Sequence, residues 1–231
     1  AALREAGLTR RLGVAPGPAN GFTLDFIDCL ERHGELIDWA MLILNPLEPW
    51  PGELALPAAE AHGVKVLARV ADYGGIFHDD LRPGDPLGER DHRAFRPAGW
   101  IEAGNERLER LRPIAERHGL TMLQLALQWD LAHPAVEAVV PTLVQEAKPG
   151  AKPVERQREE LASLPEELRL TPEEVEEIRR VGDNTGCMAL KGGVPDHEGD
   201  PLPDRWTLDD ELRAIAARWE IDPRGLQLSA G

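Results

Sequence analysis

The sequence predicts an α/β protein built on a parallel sheet covered by helices. Two observations predict it. Short aliphatic or β-branched runs alternate with longer stretches of helical periodicity, four times over. The runs are also apolar without strict alternation, the pattern of strands covered on both faces. Four such units make either an open sheet or half of an eight-stranded barrel, and periodicity alone does not separate the two.

Residues 1–6 read as the last turns of a helix that stops at Gly7, a glycine C-cap. The first strand covers 11–14 and breaks into a Pro/Gly loop at 15–20. Residues 22–32 carry Leu24, Ile27 and Leu30 at helical spacing, and Cys29 on that pattern reads as a small core residue. The second strand, 39–44, ends at Asn45-Pro46. A helix over 53–61 closes at His62-Gly63, and the third strand covers 64–68.

A long loop then runs from 70 to about 102, rich in Gly, Pro and Asp, and loops of that length usually serve a function. Helices follow at 104–118 and 121–133, and the fourth strand at 136–140 ends in Pro141-Thr142. A polar loop leads to helices at 154–164 and 171–180. The second has a strong start, with Thr171 as N-cap, Pro172 at N1 and two glutamates in the first turn. A Gly/Pro-rich stretch at 182–205, which holds Cys187 after a Thr-Gly turn, precedes a last helix over 208–219.

Bulk properties exclude several functions. A net charge of −15 argues against a nucleic-acid partner, which selects for basic faces. No apolar run approaches the ~20 residues that span a bilayer. With two distant cysteines and no paired Cys motif, neither a disulfide framework nor a zinc site is expected, and a reducing cytoplasm is the expected location. His78-Asp79-Asp80 and Asp91-His92-Arg93 lack metal-ligand spacing, so no metal site is expected. His33, His62 and His118 all end helices, where a cation is favoured. No Gly-x-Gly-x-x-Gly follows the first strand, which argues against a dinucleotide enzyme on a doubly wound sheet.

Five segments, in order, resemble the aldo/keto reductase family. The passage Ala6-Gly7-Leu8-Thr9-Arg10-Arg11-Leu12-Gly13-Val14 is similar to the approach to that family's fifth strand. The sixth resembles Ile37-Asp38-Trp39-Ala40-Met41-Leu42-Ile43-Leu44-Asn45-Pro46-Leu47. The seventh resembles Gly63-Val64-Lys65-Val66-Leu67-Ala68-Arg69-Val70, with Gly74-Gly75 beyond. The most specific match is Gly119-Leu120-Thr121-Met122-Leu123-Gln124-Leu125-Ala126-Leu127-Gln128-Trp129, and Val139-Val140-Pro141-Thr142 stands where the eighth strand ends.

The resemblance implies a TIM-type (β/α)₈ barrel of which this chain supplies the last four βα units. It divides the chain into a barrel half at 1–182 and an extension with one helix at 183–231. It further implies an NADP-dependent oxidoreductase, NAD being the alternative, that reduces a small carbonyl compound. The family's Asp, Tyr, Lys and His lie on earlier strands, so no catalytic residue is expected here. Tyr73, the sole tyrosine, follows the wrong strand.

What this half implies is a cofactor cradle at the strand ends, from Ala15, Met41, Arg69, Val70 and Thr142. Met41 stands where the family usually has a Gln, and a thioether accepts hydrogen bonds poorly. Arg69 stands where many members have an aromatic; a guanidinium can lie flat on a ring or reach a phosphate. After the last strand, Lys152, Arg156, Glu159 and Glu160, flanked by Lys148 and Arg158, occupy the adenosine-binding stretch. Two further readings stay open: a non-catalytic nucleotide-binding scaffold, and a barrel sugar isomerase or epimerase. Exposed edges on the first and last strands predict association or poor solubility.

Overall fold

The computed structural model describes residues 2–17, 20–88, 90–96, 98–186 and 208–226. Cys187 and most of the Gly/Pro-rich stretch lie outside them, so the expected division at 183 is described only in part.

Four strands form one parallel sheet in the order β1-β2-β3-β4: Gly13–Val14, Trp39–Ile43, Lys65–Arg69 and Val136–Val140. The register pairs Gly13 with Trp39, Trp39 with Lys65 and Val66 with Val136, with an irregularity between Val66 and Leu67. Spatial order follows chain order and never reverses. A doubly wound sheet reverses at a switch point, so this arrangement is a segment of a singly wound, barrel-like sheet.

Every second strand residue faces helices. Ala40, Leu42, Leu44, Val66 and Ala68 are buried in one core with Leu24, Ile27 and Leu30 of α2 (Thr23–His33). The opposite face is open. Met41 is 43% exposed and Val140 47% exposed, so β2 is covered on one face and not on both as its apolar run suggested. An apolar run marks a strand made for enclosure, and here only the helical side supplies it.

The remaining elements start and stop for local reasons. The short helix α1 (Ala2–Glu5) ends before Gly7, whose φ of +68° only glycine adopts freely. The stretch at 53–61 opens as a 3₁₀ turn before α3 (Leu56–Ala61). The long loop contains two 3₁₀ turns, Ile76–His78 and His92–Phe95. After it α4 (Trp100–Arg117) begins four residues before the expected start at 104, following Gly99 at φ +82°.

Next, α5 (Met122–Leu131) is capped by Thr121 through a capping box with Gln124. It is buried all round, as a helix without a polar face must be. Its polar side chains are satisfied by the segment that covers it. Gln124 donates to the Glu160 carbonyl, Gln128 to that of Glu167, and the Trp129 indole to that of Val175.

Two helices, α6 (Val154–Ala162) and α7 (Pro172–Val181), complete that cover, and Thr171 with Glu174 forms the second capping box. Where α7 stops, Gly182 packs so closely that a Cβ there would lie 1.5 Å from the Pro46 carbonyl oxygen. The last helix, α8 (Asp210–Arg218), docks on α2 through Ile215 and Ala216, while Arg218 and the Trp219 indole grip Glu31. Cys29, expected in the core, is only partly buried because α2 turns that side outward.

Candidate functional site

The C-terminal strand ends converge on a dense set of hydrogen bonds. Asn20, buried at φ +58°, donates from Nδ2 to the Ile43 carbonyl at 2.7 Å and accepts from the Ile43 amide at 3.0 Å. Its carboxamide thereby extends the sheet beside β2 where β1 has already ended. Asn45 donates to the Val70 carbonyl at 3.1 Å. Val70 itself is held at φ +58°, a strained conformation for a β-branched residue. Thr142 is fixed from both sides: its amide donates to Asp72 Oδ1 at 2.7 Å, and its carbonyl lies 2.7 Å from His78 Nε2.

A chain of buried polar groups lies beneath these ends. Asp72 Oδ2, His78 Nδ1 and both carboxyl oxygens of Asp130 are enclosed without a hydrogen-bond partner among the described residues. Burial, with Asp72 nearby, pushes the Asp130 carboxyl well above the usual carboxylate range. The loop after β3 is locked from outside by Arg93, which is buried. It pairs with Glu146 at 2.7 and 2.8 Å, with Asp91, and with the Gly74 carbonyl at 3.0 Å. All of its donors are engaged, and breaking such a pair costs about 3–5 kcal/mol.

The residues singled out from sequence fall into two groups. Ala15, Val70 and Thr142 stand at strand ends, with Met41 and Arg69 on the open face of β2 and β3. Arg69 is half-buried and makes no side-chain hydrogen bond or ion pair among the described residues. Burial draws its pKa down, while the charge of Glu48 opposes that shift.

Lys152, Arg156, Glu159 and Glu160 form the second group and line one cavity of about 780 Å³, with Asp79, Arg112 and Met122 on its other walls. Its cations already have partners. Lys152 Nζ contacts Glu160 at 3.1 Å and the His78 carbonyl at 2.5 Å, and Arg156 pairs with Glu159 at 2.8 Å. Lys148 is bound to Asp85 at 2.6 Å.

Sequence reasoning missed Asp72, Asp130 and the Arg93–Glu146 lock, because each joins segments far apart in the chain. Among the described residues no group of three or more His, Cys, Asp or Glu is arranged to hold a metal. Nor is any described helix long and apolar enough to cross a membrane.

Comparison with known proteins places this geometry. None of the curated proteins matches the chain. Among solved structures, the glycerol dehydrogenase AKR11B4 from Gluconobacter oxydans matches with a TM-score of 0.60 at 20% identity, covering 90% of this chain and 55% of that one. The apo aldo-keto reductase AKR11C1 from Bacillus halodurans matches with a TM-score of 0.54 at 22% identity, covering 79% and 54%. An aldo/keto reductase from Klebsiella pneumoniae, crystallised with NADP and acetate, gives 0.50 at 20% identity, covering 78% and 50%. The chain thus spans about half the length of the solved structures it matches. The sequence model of the aldo/keto reductase family aligns with residues 1–183, and this chain belongs to that family.

Proposed function

We propose that the chain is the C-terminal half of an NAD(P)H-dependent aldo/keto reductase that reduces a carbonyl to an alcohol. In this reading it carries most of the cofactor cradle and none of the catalytic tetrad. The observation that carries the reading is the family match over residues 1–183 on a parallel sheet in unbroken chain order. Four βα units in chain order amount to half a barrel, and the ordered resemblance to the family's fifth to eighth strands supports the C-terminal half.

The residues present fit a phosphorylated dinucleotide in two places. Arg69 is a half-buried cation at a strand end without an anionic partner in hydrogen-bond reach among the described residues, which suits a phosphate or an electron-rich ring. The cavity beside α6 has the size of a nucleotide-binding cleft, and Lys152 stands on its wall. Binding a 2′-phosphate there means exchanging the Glu160 carboxylate for the phosphate, so the Lys152–Glu160 pair acts as a placeholder.

The cofactor, when bound, supplies the hydride. This chain's residues bind and orient: Asn20, Asn45 and Asp72 fix the strand ends through the backbone of Ile43, Val70 and Thr142. Proton transfer belongs to the half that this reading places upstream.

Quenching of NADPH fluorescence tests the proposal. The chain is expected to quench it, and Arg69→Ala to weaken binding about tenfold, equivalent to about 1.4 kcal/mol. Unchanged affinity in Arg69→Ala removes the cradle. The gene upstream gives an independent check, since a parent lacking Tyr and Lys on the strands preceding β1 is no reductase.

A further inference from the structure

Asp72, His78 and Asp130 are three titratable side chains enclosed beneath the end of β4. They come from two places in the chain: Asp72 and His78 from the loop after β3, and Asp130 from α5. That helix packs against both β4 and the 3₁₀ turn that ends at His78, which brings the two together. None of the three lines the cavity beside α6. Nor does any of them line a smaller cavity, of about 370 Å³, walled by Glu48, Tyr73, Trp100, Arg107 and residues 183–185.

The backbone of one residue is held by this set. The Thr142 amide donates to Asp72 Oδ1 and the Thr142 carbonyl faces His78 Nε2, both at 2.7 Å. A carbonyl only accepts, so Nε2 carries a proton. Asp72 Oδ2 lies 4.0 Å from that same nitrogen. Since β4 ends at Val140, the grip on Thr142 fixes where the chain leaves the sheet.

Asp130 stands beside this grip with neither carboxyl oxygen hydrogen-bonded among the described residues. An enclosed carboxylate without partners is costly. The charge that acts on it is that of Asp72, which has the same sign. Other charged groups around α5 are engaged elsewhere. Arg112 of α4 pairs with Asp79 and Glu109, Glu160 of α6 with Lys152, and Glu137 of β4 with Lys65. From α7, Glu174 pairs with Arg117 and His118, and Arg179 with Glu53, whose charge acts on His133 at the end of α5.

With its proton, Asp130 is a neutral neighbour, and Asp72 keeps its charge for the Thr142 amide. Without it, a second negative charge opposes Asp72 across a space that screens poorly. Water relieves that repulsion once the loop after β3 parts from α5, and the same movement draws Asp72 and His78 off Thr142 together.

We infer that Asp72, His78 and Asp130 form a proton-operated latch on the end of β4, closed while Asp130 holds its proton and loosened at both Thr142 bonds when that proton leaves. Burial and the Asp72 charge both hold the proton to a higher pH than an ordinary carboxyl does. The latch therefore closes on the acid side and opens on the alkaline side. It does not rest on the oxidoreductase reading, because no cofactor or substrate takes part.

Amide hydrogen exchange of the full chain, followed by NMR at stepped pH, tests the inference. Protection of the Thr142 amide is corrected for intrinsic exchange and referred to the Val66 amide, which bonds the Ala135 carbonyl near the opposite end of the sheet. The ratio is expected to fall about tenfold between about pH 5 and about pH 9. The Asp130 carboxyl carbon, followed in a chain labelled with ¹³C-aspartate, is expected to titrate with the same midpoint. Asp130→Asn keeps the shape of the protonated acid and cannot ionise, so its ratio is expected to stay level, whereas a merely structural role would shift the ratio alike at every pH. A level ratio in the parent, a midpoint different from that of Asp130, or an equal fall in Asp130→Asn overturns the inference. The shared midpoint is read on the parent chain alone, so it decides the matter even where the variant does not fold.

Discussion

Asp130 shows how much one side chain carries here. Its carboxyl is fully buried without a hydrogen bond among the described residues, one residue before the end of α5. Folded, it holds its proton more tightly than it does in the unfolded chain, where its ordinary value is 3.8. The unfolded state therefore releases that proton first as pH rises, and stability falls across the window from 3.8 up to the raised folded value. Asp130→Asn is expected to match the parent below the lower bound and to gain stability steadily above it, measured by urea melts at stepped pH. A constant difference at every pH would refute the buried-proton account.

His133, partly buried and edge to face with the Trp129 ring, has the opposite sign. Desolvation lowers its pKa despite the Trp129 and Asp130 carbonyls near Nδ1, so its contribution is present above 6.5 and is lost in acid. Neither residue announces itself in sequence. A lone Asp among Leu, Gln and Trp reads as a solvated helix position, and only packing from both sides reveals otherwise.

At the scale of elements, legibility followed local physics. The strand at 136–140 and the start at Thr171 were readable because β-branched runs and capping residues carry their own signals. Thr171→Ala removes the bond from the Glu174 amide to the Thr171 hydroxyl, while the Glu174 carboxylate keeps the Thr171 amide, His118 and Arg117. It is expected to cost about 1 kcal/mol in a denaturant melt, the usual worth of such a cap.

The start of α4 was misread for the opposite reason. Gly104 and Asn105 look like loop punctuation, yet Gly104 gives Ile76 its close approach and Asn105 donates to the Leu81 carbonyl. Tertiary contacts overrode propensity there. The cavities were illegible for a related reason, since no spacing rule joins Glu48 to Tyr73, Trp100 and Thr185. Composition did find the Lys152–Glu160 stretch, but not that its charges are already paired.

For the molecule as a whole, the sheet's open face decides behaviour. Met41 and Val140 stand exposed beside the half-buried Leu67, and the outer edges of β1 and β4 have no neighbouring strand among the described residues. Light scattering is expected to report association of the isolated chain. Met41→Lys with Val140→Lys is expected to shift it towards monomer without moving the melting temperature by more than a few degrees. A parent chain that is monomeric at all concentrations would show that the face is covered some other way. The net charge of −15 opposes self-association, so raising salt is expected to strengthen it.

The pair between Asn184 and Trp50 joins residues 134 apart in the chain. Closing a loop of that length costs about 4 kcal/mol in chain entropy beyond a constant. A ribosome adding roughly 5–20 residues per second delivers Asn184 about 7–27 s after Trp50. For all that interval the cavity lined by Glu48, Tyr73, Trp100 and Arg107 lacks the wall that residues 183–185 supply, while the strands are already made. A truncation only a few residues short of Asn184 would therefore leave a folded sheet with that cavity open on one side.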